Sequence, residues 1–413
     1  MLPSSFGTRQ PWYQGVAMKK FIRKAKFLLL FSLIVMLFAS FDGGIPAGNA
    51  ALQKLVVKNW AEYGYPQGSG GFSIMVIAPE GEYFASSLPE VTRFSHFRIA
   101  SVTKMTTAAA FMLLEQRGLV KLDDPITAFL PGTSMPYLPD TAEWSIPYKE
   151  QITPRLLLQH YAGVFDLVND PVPDNSNFPF TGKSYFDWIL DSDPNRTISP
   201  SEQASILSKY KLSAAKPGTV YHYSNTGYTF LTEIIARASG KTVDSFISEE
   251  LLSPLGLVDT SFPSEGTDQE PPWSFITGLN KKANVYQNMS SRNVSPGLGA
   301  YNAVSTLHDV AWFIRTFLDG NSAVSPETVM KMHDFRPSDL QGVGYGLGLM
   351  NAPPDLGFGL NGNMKGYQMI ARSDPIKDVT VVILSSLTDA DSPSKILPIL
   401  RRTALEAKKL LGY

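Results

Sequence analysis

Phe97-Arg98-Ile99-Ala100-Ser101-Val102-Thr103-Lys104-Met105 leads into Thr106-Thr107-Ala108-Ala109-Ala110-Phe111-Met112-Leu113-Leu114-Glu115-Gln116-Arg117, and a glycine follows at Gly118. The run from Met105 has helix-forming composition and a glycine stop, so a helix begins near Ser101. Residues three apart on a helix share a face, which puts Lys104 beside Ser101. A buried lysine there can shed its proton and activate the hydroxyl for attack on a carbonyl. A serine at a helix start also has its own N–H free to hold an oxyanion. The same four residues also read as an N-cap serine followed by a solvated lysine. Ser208…Lys211, Ser213…Lys216 and Ser392…Lys395 repeat the spacing in polar segments.

Working outward, Gly68-Ser69-Gly70-Gly71 precedes Phe72-Ser73-Ile74-Met75-Val76-Ile77-Ala78, a strand by composition, and Glu82-Tyr83-Phe84-Ala85 returns after the Pro79-Glu80-Gly81 turn. Ala51 to Tyr63 has helical spacing of apolar residues. Near the other end, Tyr367–Arg372 and Val379–Leu384 are strands around Asp374-Pro375, and Ile396–Leu411 is an amphipathic helix. Between them, from Asp123 to about Asn293, helices and long proline-containing loops predominate. The expected fold is therefore α/β (α+β). Its antiparallel sheet is drawn from the N- and C-terminal parts and flanked by helices, with an all-helical insertion. The expected division is an α/β sub-domain of residues 51–122 and 295–413 and a helical sub-domain of residues 123–294, with a site in the cleft between them.

Composition narrows the function. A chain of 413 residues with 44% hydrophobic and 18% charged residues is globular, and a formal net charge of -1 recommends neither nucleic acid nor an anionic membrane as partner. With no cysteine, a disulfide scaffold, a thiol nucleophile and a cysteine-held metal are excluded. None of the five histidines has metal-ligand spacing, so no metal or cofactor is expected. His160, after an apolar stretch, reads as a packed histidine. No G-x-S-x-G elbow or phosphate-binding G-x-x-x-x-G-K-[ST] loop occurs. Residues 1–50 read as an export segment: basic Met18–Lys26, apolar Phe27–Phe41, then small Gly48 and Ala50. The expected location is periplasmic or extracellular, with a retained anchor as the only link to a membrane.

A second constellation is Pro217-Gly218-Thr219-Val220-Tyr221-His222-Tyr223-Ser224-Asn225-Thr226-Gly227-Tyr228, ahead of an apolar helix that ends at Gly240. Tyr223 and Asn225, two apart, point the same way in extended chain. A phenol near Lys104 can relay a proton, and a carboxamide can bind a substrate carbonyl and an amine together. The same stretch also reads as a Pro-Gly turn with buried aromatics, and Tyr286-Gln287-Asn288 repeats the spacing.

With these motifs in order, the chain resembles the serine β-lactamase and penicillin-binding protein superfamily over about residues 70 to 410. It is most similar to the Tyr-x-Asn branch of class C β-lactamases, D-alanyl-D-alanine carboxypeptidases, D-aminopeptidases and esterases. Leu122-Asp123-Asp124-Pro125-Ile126, Ile152-Thr153-Pro154-Arg155-Leu156-Leu157-Leu158-Gln159-His160-Tyr161-Ala162-Gly163-Val164, Leu255-Gly256-Leu257 and Tyr345-Gly346-Leu347-Gly348-Leu349 add to the likeness. The resemblance implies that Ser101 is the acylated nucleophile, that Lys104 and Tyr223 share acid–base work, and that Asn225 positions substrate. The family's third motif, a basic residue then Thr-Gly, falls on Leu360-Asn361-Gly362. Asn361 and Gly362 are then expected to bind substrate, and Asn363 joins Ser101 in supplying oxyanion N–H groups. Leu360 cannot hold a carboxylate. The implied activity is D-alanyl-D-alanine carboxypeptidase on peptidoglycan peptides. The alternatives are an esterase or class C β-lactamase, or a non-catalytic cell-wall peptide binder. In every case the expected partner is a small peptide or ester.

Overall fold

A computed structural model describes residues 47–174, 178–179, 181–351 and 355–413. The export reading of residues 1–50 lies almost wholly outside them. Among the described residues, no helix is long and apolar enough to cross a membrane.

Among the described residues the main sheet has eight strands: β1 (Phe72–Ala78), β2 (Gly81–Ser86), β3 (Arg336–Pro337), β4 (Gly344–Tyr345), β5 (Met350–Asn351), β6 (Phe358–Met364), β7 (Tyr367–Asp374) and β8 (Val379–Ser385). Their spatial order is β2-β1-β8-β7-β6-β5-β4-β3. All neighbours are antiparallel. As expected from composition, strands from the two ends of the chain meet, with β1 against β8 in the register Ile74↔Ile383 and Val76↔Val381.

Every residue of β1, β7 and β8 is buried. Both faces of the sheet are covered, so β1 and β8 are largely apolar on both sides, while β7 also buries Gln368, Arg372, Ser373 and Asp374. Ile74, Val76, Ile370, Val381 and Ile383 pack against α1 (Ala47–Ala61) and α6 (Ile396–Leu410) through Leu52, Val56, Leu400 and Ala404. On the other face, Met75, Ile77, Met369, Ala371, Val382 and Leu384 join the larger core. That core also holds α2 (Thr103–Gln116), α4 (Asn225–Ser239) and α5 (Leu307–Leu318). Residues Thr103 to Leu114 of α2 are all buried, so this helix is surrounded by protein, as its Ala- and Met-rich sequence allows.

Between α2 and α5 lie helices including α3 (Tyr185–Ser192) and Pro200–Tyr210. The insertion is not all-helical. Leu279–Lys282 and Val285–Asn288 form a hairpin, and Leu387–Asp389 runs parallel to its first strand. Ala283 and Asn284 both have positive φ (48° and 62°), the two-residue turn whose twist suits a hairpin. The sequence there lacks the β-branched alternation that announces a strand.

Candidate active site

The nucleophile candidate is set by a turn. The chain leaves the short strand His96–Arg98, passes Ala100 at φ 48°, and enters α2 through a turn of 3₁₀ helix at Ala100–Val102. Left-handed backbone is costly for alanine, so the surroundings must enforce it. Thr103 Oγ1 donates to Ala100 O at 2.7 Å and accepts from Ala303 N at 3.2 Å. The result places Ser101 at the head of α2, facing a cleft of about 480 Å³.

Lys104 is completely buried one turn along. Its Nζ donates to Asn225 Oδ1 at 2.7 Å and Ala300 O at 3.0 Å, and lies 3.5 Å from Ser101 Oγ. Burial holds its pKa well below the ordinary amine range, with the Asp166 carboxylate pulling partly the other way. A neutral amine has two N–H bonds and one lone pair. Two carbonyl oxygens and one hydroxyl match that inventory.

Tyr223 and Asn225 come from the segment that enters α4. Ser224 caps this helix, its Oγ accepting from Gly227 N at 3.1 Å. Tyr223, in the extended approach, donates its phenol to Ser101 Oγ at 2.8 Å. Burial raises the phenol's pKa, so it is protonated at neutral pH. His160, at φ 61°, tilts against the Tyr223 ring at 4.2 Å between centroids and accepts from Ser224 N through Nδ1 at 3.1 Å. Burial holds its pKa well below the usual value. It is the packed histidine the sequence indicated, held neutral by its burial.

Asp166 was not singled out from the sequence. It is fully buried, and its Oδ2 accepts from Asn225 Nδ2 at 2.9 Å and Asn169 Nδ2 at 2.7 Å. An amide held this way must turn its oxygen toward Lys104. Burial pushes the Asp166 pKa up. Behind it, Asp170 Oδ2 bonds Asp166 N and His222 Nε2, both at 2.9 Å. Asp166 lies two residues after the His160–Val164 run, and that proximity was its only signal.

The third motif is split by the pleat. Asn361 and Asn363 line the cleft with Ser101, Tyr223 and Asn225. Leu360 is 2% exposed and belongs to the core. Gly362, expected to bind substrate, faces the nucleophile turn instead. A Cβ there would lie 2.7 Å from Ile99 O and 3.2 Å from the Ala100 Cβ, so glycine lets β6 approach Ser101 closely. Among the described residues β5 pairs with Phe358 and Gly359 and no strand pairs with the rest of that edge of β6. Arg372, which no sequence argument aimed at the cleft, is buried behind it and donates Nη2 to Asn361 Oδ1 at 2.8 Å. Lys365 lines the cleft directly. The repeats of the two motif spacings fall elsewhere: Lys211 ends the helix Pro200–Tyr210 and Tyr286 lies in the hairpin.

Among the described residues no group of histidines, aspartates and glutamates is arranged to hold a metal ion. What the site assembles is a hydroxyl, a deprotonatable amine, a phenol and a carboxamide in one crevice.

The sequence profile of the Beta-lactamase family matches residues 52–405. The D-alanyl-D-alanine-carboxypeptidase/endopeptidase AmpH of Escherichia coli is 28% identical over 208 residues, covering 48% of this chain and 46% of AmpH. The probable hydrolase clz13 of Cochliobolus lunatus is 28% identical over 258 residues, covering 54% of this chain and 38% of that protein. The chain thus spans less than half the length of these relatives. Among solved structures, the D-amino acid amidase of Ochrobactrum anthropi SV3 superposes with a TM-score of 0.69 at 22% identity, covering 88% of this chain and 98% of the amidase. The D-stereospecific amidohydrolase from a Streptomyces species gives a TM-score of 0.68 at 20% identity, covering 82% of this chain and 94% of that chain; both likenesses speak to the fold. By the extent of the family match, the chain belongs to the beta-lactamase family, within the serine β-lactamase and penicillin-binding protein superfamily of hydrolases.

Proposed function

We propose that the chain is a serine hydrolase that acylates Ser101 and acts on amide or ester acyl donors whose leaving group is uncharged. The observation that carries this is the double engagement of Ser101 Oγ, by the Tyr223 phenol at 2.8 Å and by the buried Lys104 amine at 3.5 Å. Neutral Lys104 accepts the Ser101 proton as Oγ bonds the substrate carbonyl carbon. The oxyanion goes to the backbone N–H groups of Ser101 and Asn363 at the free edge of β6. Tyr223 protonates the departing amine or alkoxide as its bond to carbon breaks, and recovers a proton from the Lys104 ammonium. Water then attacks the acyl-enzyme by the same proton path in reverse. Asn225 holds Lys104 and presents its amide to the substrate.

The uncharged leaving group rests on Leu360, a buried aliphatic side chain at the position where the family resemblance expects a carboxylate-binding cation. The second reading, a D-alanyl-D-alanine carboxypeptidase on peptidoglycan peptides outside the cytoplasm, is favoured by Arg372. Its charge stands behind Asn361, and AmpH is a relative with that activity in its name. Fluorescent penicillin, a chromogenic short-chain ester and a D-Ala-D-Ala peptide, each with Ser101→Ala as control, separate the readings. Ser101-dependent ester turnover without peptide turnover supports the first; efficient peptide turnover supports the second. Neither label nor turnover on any of them leaves only a binding protein.

A further inference from the structure

The cleft is electrically polar along its length. Among the described residues four charged side chains line it: Asp187, Arg292, Asp339 and Lys365. Asp339 is at the tyrosine end, where its charge acts on Tyr221 and Tyr223. The other three meet at the opposite end. Asp187 Oδ1, on α3, takes Arg292 Nη2 at 3.1 Å and Lys365 Nζ at 3.4 Å. One carboxylate is shared by two cations, so this end carries a net single positive charge. Although burial pushes the Asp187 pKa up, Lys365 and Arg292 together bring it below the ordinary value. Asp187 therefore stays ionised and keeps both cations in place.

The orientation of the substrate decides what meets that charge. The leaving group takes its proton from Tyr223, so it departs at the Tyr221, Tyr345 and Asp339 end. The acyl group occupies the other end, past Asn363. Lys365 is two residues beyond Asn363, about 7 Å along an extended chain. Arg292 and Lys365 are partly exposed, with side chains 27% and 49% accessible. Among the described residues, only one nitrogen of the Arg292 guanidinium is engaged by a side chain. Its remaining N–H groups and those of Lys365 are available to a ligand.

We propose that Arg292 and Lys365 form an acyl-side subsite for a carboxylate. The chain then prefers acyl donors with an anionic group three or four carbons from the scissile carbonyl. This rests on the acyl-enzyme reading above and adds the substrate class to it. The two cations act as specificity-determining residues, and Asp187 positions them.

The test compares p-nitrophenyl monoglutarate with p-nitrophenyl valerate, donors of the same chain length that differ in a terminal carboxylate. The readout is the ratio of their kcat/KM values in wild type, Arg292→Gln, Lys365→Gln and the double variant. Each single substitution is expected to lower the glutaryl-to-valeryl ratio by about two- to fivefold, and the double by more, as loss of a partly exposed ion pair implies. In wild type the ratio should also fall between 0.05 and 0.5 M salt. A ratio that is equal in wild type and the double variant overturns the subsite while leaving the acyl-enzyme reading intact. If neither ester shows Ser101-dependent turnover, that reading fails and the subsite falls with it. Should the double variant not fold, Lys365→Gln alone, at an exposed hairpin turn, separates the same two outcomes.

Discussion

Asp166→Asn removes a buried negative charge while keeping the side chain's shape. Lys104 Nζ is 2.7 Å from Asn225 Oδ1, and Asn225 Nδ2 is 2.9 Å from Asp166 Oδ2. Adding the width of the amide puts the two charges about 7 Å apart, which at an effective dielectric of about 20 is an interaction of about 2 kcal/mol. That corresponds to a pKa change of between about one and two units. The sign follows from the charges. The carboxylate favours the Lys104 ammonium, so its loss favours the free amine. The form of Lys104 that accepts the Ser101 proton then persists to lower pH. The acid limb of kcat/KM should therefore move down by between about one and two pH units. The amide oxygen of the new asparagine can still accept from Asn225 and Asn169, but its NH2 replaces the oxygen that accepts from Val168 N at 3.0 Å, so kcat at the optimum should fall by about tenfold. The assay is a pH–rate profile with a chromogenic ester, wild type against variant. An acid limb that stays in place while all rates drop together, or one that moves up, would refute the reasoning.

Three further perturbations test separate parts of the mechanism and fold. Gly362→Ala forces a methyl group to 2.7 Å from Ile99 O, so β6 or the nucleophile turn must shift; kcat/KM should fall by about a hundredfold and stability by roughly 1–3 kcal/mol, read by kinetics and thermal melting. Leu360→His puts an imidazole on the core face of β6, behind the cleft, and should raise the ratio of activity on donors whose leaving group bears a carboxylate to that on neutral esters; an unchanged ratio would mean that Leu360 does not occupy the basic position of the third motif. His222 is bonded by Asp170, which raises its pKa despite partial burial. Its stabilising contribution is fully present below the unfolded value of about 6.5 and disappears as pH rises through the raised folded value. The deficit in melting temperature of His222→Gln should accordingly be larger at pH 5.5 than at pH 9.

Much of this site was legible because its parts are local in sequence. The spacing of Ser101 and Lys104 is fixed by helical geometry, and that of Tyr223 and Asn225 by an extended segment running into a capped helix. The sheet was legible for a similar reason: β1 and β8 are buried on both faces and read as apolar runs, and the apolar centre of β7, Met369-Ile370-Ala371, lies beside them. What was missed depends on tertiary contact. Asp166 acts because a loop packs under α4, and nothing in its neighbours' spacing marks that. Asp187, Arg292 and Lys365 come from α3, an irregular segment and a hairpin turn, far apart in the chain. Gly362 was noticed as part of a motif but given the wrong task, because which face of β6 touches the nucleophile turn is set by the pleat and register. The hairpin at Leu279–Asn288 escaped because pairing with Leu387–Asp389, rather than its own composition, supports it.

The most direct measurement is to quench turnover of a chromogenic ester with acid within milliseconds and map the acyl group by mass spectrometry after trypsin. The expected result is the acyl mass on the peptide Ile99–Lys104, at Ser101, with no adduct and no turnover in Ser101→Ala. An acyl group on any other residue, or full turnover in Ser101→Ala, would contradict covalent catalysis by this serine.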